Sequence, residues 1–248
     1  MFRRYAPRLA LTLLTVFFLD LTDLIELHKN AANFKLNLDN DFSRMFSELL
    51  FGFHRIDTGL NASNIAQLAF LAAAPLFLGQ SISADLSISG TYYFTRQNHR
   101  TRWYVRRSLS LLACSLTVSL FTCLLNAAMT SYFDVNGIPA ARIALVMLSV
   151  TMCIFVLVML SNIIGIFFGS VIGLAVTVVY AGANILLTYS PLRQISLVFN
   201  SAFLPDEGYA DMSVKLGVNT GIAAAVFAAG LVVVRKRELG LVNAEQLF

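Results

Sequence analysis

Long apolar runs broken by short polar stretches set the pattern of this chain. Six such runs stand out, at about Pro7 to Leu27, Ile65 to Ile82, Ser108 to Met129, Ala141 to Leu160, Gly165 to Leu187 and Val214 to Val234. Each is close to the roughly 20 residues that a helix needs to cross a bilayer core. The predicted architecture is therefore an all-α integral membrane protein, a single transmembrane domain of six transmembrane helices over residues 1–248. Pro75 falls inside the second run, where neighbouring helices can satisfy the carbonyl it frees, so a kink is expected there.

The stretches between the runs differ in kind. Within residues 28–60, Phe42, Met45, Phe46, Leu49, Leu50 and Phe53 recur at helical spacing, and Asp41 is suitably placed as an N-cap. That predicts an amphipathic helix over 41–53, too polar on its other face to span and lying on the outer surface. Only Ser161-Asn162-Ile163-Ile164 separates the fourth and fifth runs, which reads as a tight hairpin. Residues 188–213 hold Pro191, Pro205 and Asp206-Glu207, with Ile195, Leu197, Val198 and Phe199 suggesting a short, partly inserted element.

Charge then orients the spans. Five of the eighteen Lys and Arg residues, Arg96, Arg100, Arg102, Arg106 and Arg107, crowd into the connector 85–107 between the second and third runs. Basic residues near spans are retained on the cytoplasmic side. With that connector inside, both termini also fall inside, where Arg3, Arg4 and Arg8 precede the first span and Arg235-Lys236-Arg237 follow the last. Of the fourteen acidic residues only Asp85, Glu238 and Glu245 lie inside under this arrangement. The totals agree: 57% hydrophobic residues, 13% charged and a mean hydropathy of +0.71 exclude an ordinary soluble domain. The net charge of +4 sits beside apolar spans, which makes it a topology signal and no sign of nucleic acid. Asp20, Asp23 and Glu26 follow the first apolar run with no small-residue cleavage site, so that run is expected to be a retained span and not a leader.

Candidate chemistry is sparse. There is no phosphate loop, no paired-histidine zinc motif and no nucleophile elbow, so an enzymatic role is not expected and no metal site is assigned. Cys114, Cys123 and Cys153 all lie within apolar runs and read as small buried hydrophobes. Asp20, Asp23 and Glu26 share one side of the first helix. Two readings stand for them: a helix end emerging into water, or an acidic stripe facing a polar pathway or subunit interface. Gly165, Gly169 and Gly173 form two overlapping GxxxG units, read as helix packing either within the subunit or between subunits.

The connector also carries Tyr92, Tyr93, Phe94, Trp103 and Tyr104, which give contact area beside the arginines. In its plan of spans and in Asp85, Gly90-Thr91, Arg96 and Arg100, the chain resembles the membrane subunit of ABC exporters of the ABC-2 permease type. It departs from that pattern in lacking a proline in the basic stretch, which here reads Arg96-Gln97-Asn98-His99-Arg100. The resemblance implies a permease in the cytoplasmic membrane of a prokaryote, paired with a second copy or a homologous chain. It also implies two separate ATPase subunits docking on the connector as a coupling helix, with Asp85, Gly90, Thr91, Phe94, Arg96 and Arg100 as the coupling residues. This chain would need no cofactor of its own, and ATP and Mg would reside on the partners. A peptide, drug or lipid-like substrate is implied. The other class that fits the residues is a non-transporting immunity or sensor subunit acting through its outer segments. The topology predicts that a cysteine introduced by Asn98→Cys resists an impermeant thiol reagent on whole cells and reacts once the membrane is opened.

Overall fold

The computed structural model describes residues 5–29, 62–82, 84, 100–132, 140–202 and 208–236, whose regular structure is all helical. In chain order the elements are α1 (Ala6–Lys29), α2 (Ala62–Leu78), α3 (Arg100–Tyr132), α4 (Ala140–Phe168), α5 (Ser170–Thr188), a 3-10 turn (Arg193–Ile195), the short α6 (Leu197–Ser201) and α7 (Tyr209–Lys236). Four of them, α3, α4, α5 and α7, are long and apolar enough to cross a membrane. Outward faces support the same environment: on α5, Val171, Ile172, Val176, Val179 and Leu186 are exposed, an apolar row that suits acyl chains and would be a liability in water. The chain is a membrane-embedded helical protein. The amphipathic stretch expected over 41–53 lies outside the described residues.

Helix α4 is the axis of the bundle, in contact with α2, α3, α5, α6 and α7. Its sequence is apolar nearly all round, as a helix surrounded by other helices must be. An unbroken buried run from Cys153 to Met159 occupies its middle. Helix α7 is the opposite case, with 22% of its most apolar window buried against 61% for α4, and it lies at the margin of the bundle.

The hairpin expected at Ser161–Ile164 is not there. Those residues continue α4, which runs for 29 residues to Phe168. The chain folds back at one residue, Gly169, whose φ of 91° lies in the region that glycine occupies at no steric cost. Helical bonding persists on both sides, with Gly169 N–H donating to Gly165 C=O at 3.1 Å and Gly173 N–H to Gly169 C=O at 3.0 Å. The three glycines therefore do not line one helix face, as their spacing suggests. Gly165 lies in the last turn of α4, Gly169 makes the reversal and Gly173 lies in the first turn of α5, where a β-carbon would lie 2.5 Å from Ser161 O and 2.8 Å from Gly165 N. Gly165 and Gly173 pack against each other within the chain, between two antiparallel segments, whereas Gly169 has open space around it.

At the other end of the bundle the chain re-enters after α5. The 3-10 turn is exposed, but all five residues of α6 are buried, so the short inserted element anticipated around 195–199 is two elements of opposite character. A buried five-residue helix leaves most of its backbone groups without internal partners, and polar side chains from three long helices supply them. Ser196 caps its start, accepting from Phe199 N at 3.2 Å. Asn184 of α5 accepts from Leu197 N at 2.8 Å, and Ser149 of α4 donates to Asn200 O at 2.8 Å. Asn219 of α7 donates to both Ser149 Oγ and Ser201 Oγ at 2.9 Å. Lys215 donates to Ala202 O at 3.3 Å while its ammonium lies 4.1 Å from the centre of the Phe199 ring.

Replacing Asn219 by Leu removes these donors, although Ser149 and Ser201 keep the carbonyls of Asn200 and Leu197 to which they donate. The expected cost is about 1–2 kcal/mol of resistance to unfolding in detergent. Thr220→Leu, one residue on and exposed, is expected to change it by less than about 0.5 kcal/mol. Denaturant titration of the two variants in the same micelles measures both.

Candidate coupling face

Contacts between distant residues bring the basic ends of several helices to one end of the bundle. Tyr5, just before α1, accepts from Arg107 Nη1 of α3 at 3.2 Å, and the guanidinium carbon lies 5.9 Å from the Tyr5 ring centre. Arg235 near the end of α7 donates to Thr101 of α3 at 3.2 Å. Between these, Tyr104 of α3 donates to Phe227 O at 3.0 Å and its ring lies 5.4 Å from the Phe227 ring. Gly230 makes that contact possible, since a β-carbon there would run into the Tyr104 hydroxyl and lie 2.9 Å from Ile163 Cδ1. Ile163 precedes the Gly169 turn by less than two helical turns, so that turn belongs to the same end.

The C-terminal end of α2 meets α4 here, and it does so through a break in its own backbone. Pro75 stays within α2 and still accepts from Gly79 N–H at 2.8 Å. The irregularity comes just after, at Gly79–Gln80, before helix resumes at Ser81. In an uninterrupted helix Ile82 N–H would donate to Leu78 C=O. Instead the side-chain amide of Asn162 stands between them. Its Oδ1 accepts from Ile82 N at 2.7 Å, and its Nδ2 donates to Leu78 O at 3.2 Å and to Val158 O at 2.8 Å. The orientation of the amide is fixed by these partners, because the reversed one would set oxygen against oxygen at Leu78. Ser81 Oγ adds a second donor to Leu78 O at 2.7 Å. Asn162 is fully buried.

Glycine makes the approach close enough. A β-carbon on Gly79 would collide with Pro75 O and lie 2.5 Å from Ser161 Oγ. Ser161 also sits against Gly173 through its backbone oxygen. One short stretch of α4 thus holds the broken end of α2 on one side and the start of α5 on the other.

The residues singled out from the sequence fall unevenly on this geometry. Arg100 is the first residue of α3 and the first described residue of the connector, half-buried, at the end of the bundle that also carries Ala84. Asp85, Gly90, Thr91, Phe94 and Arg96 lie outside the described residues. Asp20 is buried on α1, 6% exposed, which disfavours the reading of a helix end open to water at that position. Asp23 lies on the same helix, with its side chain outside the described set. Cys114, Cys123 and Cys153 are free and buried, as expected of small apolar residues. No group of three or more metal-ligating side chains occurs among the described residues. Sequence reasoning took Asn162 for a turn residue, and a usable signal was available: a lone amide far inside an apolar run has to find partners on another helix.

The chain matches no protein-family model, no curated protein and no solved structure. The Tyr104 contact yields a prediction of its own. Gly230→Ala is expected to displace the Tyr104 hydroxyl and lower thermal stability, whereas Gly221→Ala, with open space around it, is expected to be neutral. Combining Gly230→Ala with Tyr104→Phe removes the clashing oxygen and should recover part of the loss, as read by the melting temperature of each variant in detergent.

Proposed function

We propose that this chain is the permease subunit of an ATP-driven exporter, moved by separate ATPase subunits that dock on the connector 85–107. The observation that carries the reading is the gathering of basic helix ends. Ala84 and Arg100, which flank the undescribed part of the connector, lie at the end of the bundle that holds Tyr5, the Gly169 turn and Arg235. Positive residues mark the cytoplasmic side, so this is the face that a cytosolic motor would meet. In this reading α1 and α2 also cross the bilayer, giving six spans with both termini in the cytoplasm of a prokaryote.

The roles of the connector residues come with the resemblance to ABC-2 permeases. Arg96 and Arg100 meet acidic groups of the ATPase, and Asp85, Gly90, Thr91 and Phe94 complete the set of coupling residues. ATP and Mg are held by the ATPase pair, and this chain performs no chemistry. A second copy or a homologous permease completes the pathway. The substrate class is a peptide, drug or lipid-like molecule, and Asp20 with Asp23 supplies a negative lining for cationic members of that class.

Two measurements test the proposal. Affinity purification from membranes is expected to retain a soluble ATPase with a phosphate loop. The double reversal Arg96→Glu/Arg100→Glu should leave membrane insertion intact and lower ATP-dependent transport by at least about tenfold, the effect of losing two charge-assisted contacts at an interface. Transport at the unaltered rate by that variant removes the connector's assigned role. Full function without any ATPase partner removes the proposal altogether and leaves the sensor or immunity class.

A further inference from the structure

We propose that the break in α2 is a two-position switch, operated by insertion or withdrawal of the Asn162 amide. The argument begins with the two backbone groups at the break. Ile82 N–H and Leu78 C=O are the donor and acceptor of one ordinary helical hydrogen bond, and Asn162 stands in for that bond by accepting from one and donating to the other. Withdraw the amide, and the same two groups can pair with each other. Neither position strands the α2 backbone in hydrocarbon, which is the usual obstacle to reshaping a buried helix. A side chain inserted into a helical ladder is also a recognised cause of a sharp bend. With the amide in, α2 is broken at Gly79–Gln80; with it out, the helix runs straight through to Ala84.

Three further features fit a part that moves. Asn162 Nδ2 keeps a bond to Val158 O on its own helix, so the amide retains a partner when it leaves α2. Ser81 Oγ already bonds Leu78 O and can stay with that carbonyl in either position. Gly79 presents no side chain to Ser161, so the C-terminal end of α2 can separate from α4 and return without interlocked groups to undo. Ala84 is two residues beyond Ile82 and leads directly into the connector, so straightening α2 redirects that connector. Because Asn162 is on α4, next to the start of α5 at Gly173, the switch joins the connector to the axis of the bundle. Its use in driving transport rests on the reading proposed above; the switch itself does not.

The test uses the full chain in lipid nanodiscs, with Cys114, Cys123 and Cys153 replaced by Ala and spin labels attached through Ala84→Cys and Val232→Cys. Asn162→Leu removes the inserted amide, and Gly79→Ala pushes the end of α2 away from Ser161. Both are expected to shift the main distance peak between the labels in the same direction. Amide hydrogen exchange in the 79–84 segment should stay within about threefold of the parent protein, since the Ile82–Leu78 bond closes in place of the one removed. An unchanged distance distribution in both variants overturns the proposal. So does exchange at Ile82 that is faster by about tenfold or more, because it marks a static cap whose loss leaves the backbone open. Gly79→Ala retains Asn162 and keeps the test decisive if Asn162→Leu does not fold. Neither readout needs an ATPase, so failure of the transport reading and failure of the switch are told apart.

Discussion

A single side-chain amide spanning an interrupted helical hydrogen bond is the constraint on which this structure turns. Asn162 belongs to the most buried of the four span-length helices, and its three hydrogen bonds reach two carbonyls and one backbone N–H. In water such a group would compete poorly with solvent. Inside a bilayer there is no solvent to compete, and an open N–H or C=O costs several kcal/mol. The break in α2 persists because α4 supplies what its own backbone lacks. The geometry of that end of the bundle follows from that exchange, including the apposition of Gly79 to Ser161 and of Ser161 to Gly173.

The opposite half of the bundle repeats the same principle with different residues. The re-entrant α6 is too short to satisfy itself, and Ser149, Asn184 and Asn219 provide partners from three separate helices. Apolar packing alone gives helices in lipid little reason to choose one arrangement over another, because acyl chains are as apolar as leucine. Buried amides and hydroxyls impose the choice. Helix α4 carries the key residue of each cluster, Ser149 toward one end and Asn162 toward the other, separated by an apolar middle from Cys153 to Met159. It therefore fixes both ends of the bundle at once.

The sequence made the long apolar helices plain, because run length and lack of charge suffice to mark them. It was less informative about where they stop. The run ending near Leu160 looked finished because Ser161 and Asn162 are polar, yet both are buried in α4 and Asn162 meets a partner from α2. Periodicity within one segment cannot reveal hydrogen bonds to a residue 84 positions away. The glycine spacing was visible, but its meaning depended on one backbone angle at Gly169 that no composition encodes. Pro75 drew attention to the right part of α2, although the irregularity comes after it, where a side chain from elsewhere takes over the ladder. For the candidate coupling face, the arginine density drew attention to one end of the bundle, while the tyrosine, glycine and asparagine contacts that organise that end could be seen only in three dimensions.

The turn at Gly169 has a consequence for how the protein is made. With one residue between α4 and α5, and no charge from Ser161 to Thr188, nothing marks a pause at which the first helix could settle before the second emerges. The two segments are therefore expected to enter the bilayer as a pair. Biogenesis here should hinge on Gly169, where any residue with a side chain is strained by the positive φ, and a bulky one should lower the yield of inserted protein.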